Sequence, residues 1–515
     1  MYKTLRADRD AYISNRVIKG TRELSANVGA AGSLDLYKLY GKTLSGSVPN
    51  TELTRLLVHY DLSSIRTLIS QGKLDPSNPS FNATLKLFDV YGGQPTPNNF
   101  SVSVFPLSRS FDEGLGRDIV FMADKDACNF LSGSRAQGQW LSAGCELAGG
   151  IPGTCDYITA STFVASGASL GSSQFFRTGE ENLEIDVTLA ISATLANIIP
   201  DEGFRISLEP SLEVDERSYF VKRFASRTAF NESKHPALII RYDDSIQDDS
   251  QALTFDSQNT LFFYNYDRQE PKNLVSGSSL TPITGSNSLQ LKLSTEISGG
   301  YYTLVFPASQ HMNGTFPVKG VYSSSFVIPS SDSVFAQKLA VSGSVRVRQI
   351  WSSLDDHVTY QSGSFLFVRQ GSSGWSASVN QRFTVSAHNL QGDYKNDQTA
   401  IVRIHLFDIE SPYIKASRLP VEMPGSVFRD VHYQIRCVDD DLIVIPFDRL
   451  KNSTRLSSDA KGMFFPLDMS NLSKGRTYTI EVMLTSSDVT TRYDTGAQFT
   501  VSLAAISKGK RHTQM

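Results

Sequence analysis

Cysteine and tryptophan are scarce, four and three in 515 residues. So few thiols in so long a chain cannot form a disulfide framework. Cys128, Cys145 and Cys155 share one loop-rich stretch and Cys437 stands apart; their spacing fits no zinc pattern, and no histidine lies near the three. Small buried or loop thiols are expected, with a Cys145–Cys155 bridge open only to an oxidising environment. An excess of charge of either sign is also missing. The 49 Lys and Arg against 52 Asp and Glu leave a formal charge of −3. Bulk electrostatics therefore favour neither nucleic acid nor an anionic membrane as a partner. No apolar run of roughly 18 residues could cross a bilayer as a helix. The polar start MYKTLRADRD has no apolar segment behind it of the kind a secretion signal needs. The chain is expected to be made as a soluble protein in a cytoplasm, with no membrane and no direct nucleic-acid partner.

Catalytic signatures are missing or stand in the wrong context. Gly167–Gly171 (GASLG) matches G-x-S-x-G formally, but it lies in a Gly/Ser-rich passage without the strand-to-helix turn that would make Ser169 a nucleophile. Ser458–Lys461 (SDAK) matches S-x-x-K without its partner motifs. Phosphate-loop and zinc-protease patterns do not occur. Asp112 and Glu113 are neighbours on one segment, not carboxylates poised across a cleft. The acidic runs Asp243–Asp249 and Asp439–Asp441 read as solvated turns. Histidines such as His405 and His432 are dispersed without metal spacing. No enzyme activity, no metal and no cofactor is expected.

What the chain does have is short strands. Thr51–Leu62 (TELTRLLVHYDL) crowds apolar residues into a strand closing on Asp61–Ser63. Around it lie Asp10–Ile13, Ser25–Gly29, the alternating Ser33–Leu39 and Ala83–Phe88. Such alternation buries one face of a sheet and solvates the other. Further strands are expected at Ser101–Leu107, Leu183–Ala193, Gly203–Leu208, Tyr219–Ala225 and Pro236–Tyr242, with short helices at Ser63–Gln71 and Asp124–Phe130. The Gly/Ser-rich Leu131–Ser173, with Trp140, reads as an ordered loop too poor in periodic apolar residues to be a core element. β-branched and aromatic richness favours sandwiches over α/β. The fold class is all-β, a multi-domain chain of β-sandwiches.

The order of segments carries a resemblance. DAYI, SANVG, TRLLVHYDLSSI, ATLKLFDV, SFDEG, the Trp140 loop, IDVT, GFRI, FASR and PALIIRY follow one another. This series resembles the DNRLRE-type β-sandwich, a jelly-roll-like module of surface and virion proteins. Tyr60-Asp61-Leu62 stands for its FDL-like turn, Phe111-Asp112-Glu113-Gly114 for its W-x-E-G-like segment, and Ser226-Arg227-Thr228 before Pro236 for its S-R-E and P-x-L. Three positions depart: Tyr for Phe, Phe for Trp, and Thr for Glu. The opening SANVGAAGSLDLYKLYG resembles structural proteins of large tailed bacteriophages. The resemblance covers residues 1–245 and implies a virion protein made in the host cytoplasm.

After the polar run Asp243–Ser250, read as a linker, residues 246–337 suggest an immunoglobulin-like β-sandwich with strands at Thr260–Tyr266, Ser288–Leu293, Tyr301–Phe306 and Ser324–Ile328. Residues 338–506 suggest a larger sandwich, or two small ones split near Glu410–Gly425, opening with Leu339–Ile350 (LAVSGSVRVRQI). Residues 507–515 are a basic tail expected to be flexible. Consecutive aromatics on a strand point to opposite faces, so part of them should be exposed unless another surface covers them. Phe262, Tyr264, Tyr301, Tyr302, Arg346 and Arg348 are nominated for an interface. Arg346 and Arg348, with Arg382 and Arg403, could form a basic stripe, an exposed face or edge protection.

These features suggest a non-enzymatic structural component of a tailed-phage virion, oligomeric in the particle and packing against other virion proteins, in tail, baseplate or neck rather than capsid. The alternative is a carbohydrate-binding adhesin or receptor-binding module of a phage fibre or cell surface, holding host glycan near Trp140 or Trp375. A glycan-degrading sandwich ranks last.

Overall fold

The computed structural model describes residues 1–41, 51–90, 93, 95–118, 120, 124–136, 138–160, 168–268, 270–370, 383–408, 427–486 and 489–502. Gly167, Trp375, Arg382, residues 410–425 and the 507–515 tail lie outside the described residues. The chain is all-β, with sheets grouped into two compact units. One comprises Lys3–Arg66 and Phe81–Arg241; the other comprises Met1–Tyr2, Thr67–Ser80 and Tyr242–Met515.

The first unit is built around Glu52–His59. This strand pairs with Phe204–Leu208 on one side and with Arg9–Ser14 and Ser33–Leu39 on the other, within a seven-stranded sheet. A four-stranded sheet runs Tyr2–Arg6, Ala237–Arg241, Asn82–Leu87, Leu183–Asp186. From Thr54 to Tyr60 no residue of the central strand reaches solvent appreciably, so this strand is covered on both faces instead of one. The loop-rich passage supplies one cover. Leu57 packs with Ala11, Ile13, Leu107, Phe111, Cys128, Trp140 and Cys145 in a single apolar cluster. The passage expected to lie outside the core therefore makes part of it, through a few large residues that no periodicity announces. Asp124–Phe130 is a series of turns, not a helix, whereas Ser63–Ser70 is helical. Strand character in the Leu183–Ala193 run stops at Asp186, and Thr188–Leu195 is a helix with Ala190, Ile191, Ala193 and Leu195 buried.

Two buried lysines tie loops onto this unit. Lys38 Nζ donates to Leu212 O (2.7 Å) and pairs with Asp215 Oδ1 (2.6 Å). Lys222 Nζ donates to Gly179 O and Glu181 O (2.7 and 2.8 Å) beside Asp89, between the Phe176 and Phe224 rings. A buried ammonium is tolerable only when each donor finds an oxygen, and both do.

The second unit contains a six-stranded antiparallel sheet in the order Gln258–Tyr264, Phe316–Val327, Gly300–Asn313, Leu289–Ile297, Ser344–Ser352, Thr359–Arg369. It also contains a four-stranded sheet (Phe383–His388, Thr399–Asp408, Gly462–Asp468, Ser457–Asp459) and a five-stranded one (Asp393–Lys395, Val489–Ser502, Arg476–Ser486, Val431–Cys437, Ile443–Ile445). The Leu339–Ile350 stretch is not a continuous strand. Ser333–Ser342 is a helix capped by Asp332, whose carboxylate accepts from Val334 N and Phe335 N, and ended by Gly343 at φ 68°, a left-handed position that favours glycine. Asp248, Asp249 and Ser250, expected in a solvated linker, are buried.

Candidate functional site

Four segments of the first unit meet at one polar cluster. Arg227 forms a bidentate pair with Glu113 (Nε–Oε1 2.5 Å, Nη2–Oε2 2.6 Å). The Arg227 main-chain N–H donates to Asp10 Oδ2 (2.6 Å), and the Asp10 N–H donates to Glu113 Oε1 (3.0 Å). Asn27 locks the same loop. Its amide donates to Glu113 O and Cys128 O, and its Oδ1 accepts from Gly29 N and Gly116 N. Close approach demands glycine here: a Cβ on Gly116 would sit 1.9 Å from Asn27 O, and Gly114 has φ +78°. Asp10 and Asn27 are wholly buried. Burial pushes the Asp10 carboxyl up to about 7; the nearby Glu113 charge adds to this, and Arg227 opposes it. Asp10 Oδ1 and the Tyr60 hydroxyl are both buried without a hydrogen-bond partner among the described residues.

This arrangement holds loops together; it does not present a reactive group. Glu113 is occupied by Arg227, and Asp112 Oδ2 accepts from Arg135 N, so the two carboxylates share no open space. His59 places Nδ1 2.6 Å from Asp8 Oδ1 and Nε2 3.2 Å from Asp201 O, leaving neither ring nitrogen to serve a nucleophile. Among the described residues Ser169 Oγ contacts main-chain groups, Thr159 O and Gly171 O, and His235 is held by Ala229 O. Ser458 Oγ donates to Asp248 O. Asp249 accepts from Thr260 N and pairs with Arg429; Asp440 and Asp441 pair with Arg476 and Arg436. No group of three or more potential metal ligands occurs among the described residues. All four cysteines are unpaired and buried, so the Cys145–Cys155 bridge does not form here, and burial pushes the Cys145 thiol up to about 12. Trp140 is only 5% exposed and its indole N–H donates to Asn129 O, so it offers no face to a sugar ring. No helix among the described residues is long and apolar enough to cross a membrane.

The nominated interface residues fall on the six-stranded sheet, five of them on its outer face. Strand pairing aligns Leu291 with Phe306 and Trp351 on the inner face, where the core lies. Tyr302 shares that inner face: its hydroxyl donates to Asp332 Oδ2 (2.7 Å) and its ring meets Phe335, so it is a core-rim residue. Phe262 and Tyr264 stack on the outer face of an edge strand, Phe262 also against His311. Both are half-buried, and the Asp248 and Asp459 carboxylates lie near Tyr264. The other end is open. Tyr301 is 63% exposed, Phe365 42% and Phe367 49%. Arg346 and Arg348 lie exposed beside them, the Arg346 guanidinium 3.6 Å from the centre of the Phe365 ring. Sequence reasoning missed Phe365 and Phe367, although the alternation in Ser364–Val368 already placed them on one face. Both arginines lie on Ser344–Ser352, an interior strand, so they do not protect an edge. Next to them an open cleft of 510 Å³ is lined by Gln337, Lys338, Val341, Ser344, Arg346 and Phe367, among others.

No family model matches the sequence, and no curated protein matches it. Among solved structures, E. coli alpha-2-macroglobulin in its native conformation is 9% identical, with 97% of this chain and 23% of that one covered and a TM-score of 0.13. The chicken CNTN1 FN1-FN3 domains are 11% identical over 62% of this chain and 81% of theirs, with a TM-score of 0.12. A Salmonella alpha-2-macroglobulin mutant is 8% identical over 96% and 28%, with a TM-score of 0.13. The chain thus spans about a quarter of the length of the macroglobulins. Likenesses this slight carry no argument about fold or function.

Proposed function

We propose that this chain is a non-enzymatic structural component of a tailed-phage virion, with an N-terminal jelly-roll-like sandwich of the DNRLRE type. It packs against other virion proteins, in tail, baseplate or neck rather than capsid. One observation carries the reading. The segments that make the resemblance, DAYI, SANVG, FDEG and SRT, meet in one cluster through Asp10, Asn27, Glu113 and Arg227, although Glu113 and Arg227 are 114 residues apart. Convergence of these segments is what a shared module requires, and it supports the reading. The engagement of Glu113, Asn27 and Arg227 with one another and with main-chain groups supports a scaffold rather than a site of turnover.

Mass spectrometry of gradient-purified particles, with chemical cross-linking, tests it. Stoichiometric presence, with cross-links to head or tail proteins, is expected. Absence from intact particles overturns the virion assignment.

A further inference from the structure

We propose that the Thr359–Arg369 edge of the six-stranded sheet, with Arg346, Arg348, Phe365 and Phe367, receives an extended strand of another protein whose residues alternate acidic and apolar. The inference deepens the docking reading above and rests on it.

The two edges of this sheet are treated differently. Along Gln258–Tyr264, Asp249 and Asp248 intercept the outward main-chain groups: Asp249 N donates to Thr260 O, Asp249 Oδ2 accepts from Thr260 N, and Asp248 Oδ2 accepts from Phe262 N. At the opposite edge, among the described residues, only the last residue is engaged. Arg369 N donates to Leu253 O and its carbonyl accepts from Phe255 N, so the Arg369 main chain points off the edge. Between Phe365 and Arg369 the pairing with Ser344–Arg348 runs one to one. Main-chain direction alternates along an antiparallel strand, so Phe367 and Phe365 also direct N–H and C=O outward. No strand among the described residues pairs with them there. From Thr359 to Val368 the edge carries no charge and no proline, the devices that ordinarily keep such an edge from pairing. A bulge near Gly363 limits the smooth stretch to its C-terminal half.

The chemistry of the occupant follows from the two faces. Leu366 and Val368 turn inward onto the core, so a strand laid alongside must turn apolar side chains the same way to extend it. On the outer face stand Arg346 and Arg348, neither in an ion pair with a carboxylate among the described residues, and Lys338 lines the adjoining cleft, whose lining holds no acid. Carboxylates on the alternate positions of the incoming strand would meet those cations. Strand addition of this kind takes its affinity from main-chain hydrogen bonds and its selectivity from alternate side chains. A second copy fits less well, because pairing this edge with itself brings the Arg346 and Arg348 of both copies to one face while Thr359–Val368 carries no acid.

The test uses the full chain and a capped synthetic peptide of alternating Glu and Val, with an alternating Lys and Val peptide as control, read by fluorescence anisotropy and by hydrogen exchange. The acidic peptide is expected to bind, more weakly as salt rises, and to slow exchange within Thr359–Val368. R346E/R348E, both sites being exposed, should weaken binding at least tenfold. R346Q/R348Q should give an intermediate loss and guards against a folding artefact. Equal binding of the basic peptide, protection elsewhere, self-association through this edge, or no binding of the acidic peptide at about 1 mM each overturn the inference. Failure here leaves the particle measurement untouched, and absence from particles leaves this edge untouched, so the two readings fall separately.

Discussion

At the scale of single residues, Asp10 is a wholly buried carboxyl whose proton affinity is set by the fold. Its carboxyl is pushed to about 7 in the fold by burial, above the ordinary aspartate value near 4. A raised acid pKa means that the folded state holds the proton more tightly than the unfolded chain. The contribution from this group is therefore complete below about pH 4 and is lost as pH climbs towards 7. Asp10→Asn retains an acceptor for Arg227 N and removes the titration. Urea unfolding at pH 5 and pH 8 should show the wild type losing about 2.5 kcal/mol that the variant does not lose. Equal pH slopes in the two proteins would contradict this assignment. The sequence showed Asp10, Glu113 and Arg227 as parts of an ordered series but not as neighbours. Contacts spanning 103 and 114 residues leave no trace in local periodicity.

At the scale of elements, legibility depended on whether an element has two faces. Ser33–Leu39, Leu289–Ile297 and Ser344–Ser352 alternate and were readable as strands. Thr188–Leu195 is apolar nearly all round, so periodicity could not separate a helix from a buried strand. The Ser333–Ser342 helix did carry signals, an Asp N-cap and a Gly just past its end, which the alternating run that follows it overshadowed. The Trp140 loop was misjudged for the opposite reason: few apolar residues, but each fully used. Trp140→Ala should cost about 3–5 kcal/mol in chemical denaturation, the range for emptying an aromatic core site, whereas a surface-loop tryptophan would cost under about 0.5 kcal/mol. A small loss would mean that Leu57 and Phe111 pack adequately without it.

At the scale of the whole molecule, each unit keeps its own core and its own polar ties, and what remains on offer is surface. Composition and alternation made the all-β class legible. The open Arg346–Phe367 region could not be located from sequence, because an aromatic on a strand looks the same whether its face is covered, as at Phe262, or bare, as at Phe367. The asymmetry between the two borders of the six-stranded sheet also sets a number. With Asp248 and Asp249 engaging Thr260 and Phe262 on one border and nothing described beside Phe365 and Phe367 on the other, the proposed strand addition gives the sheet a valence of one. Sedimentation with the acidic peptide should saturate at one peptide per chain, and a higher ratio would show a second acceptor. Association through such a border ends at a complex and cannot propagate into a filament.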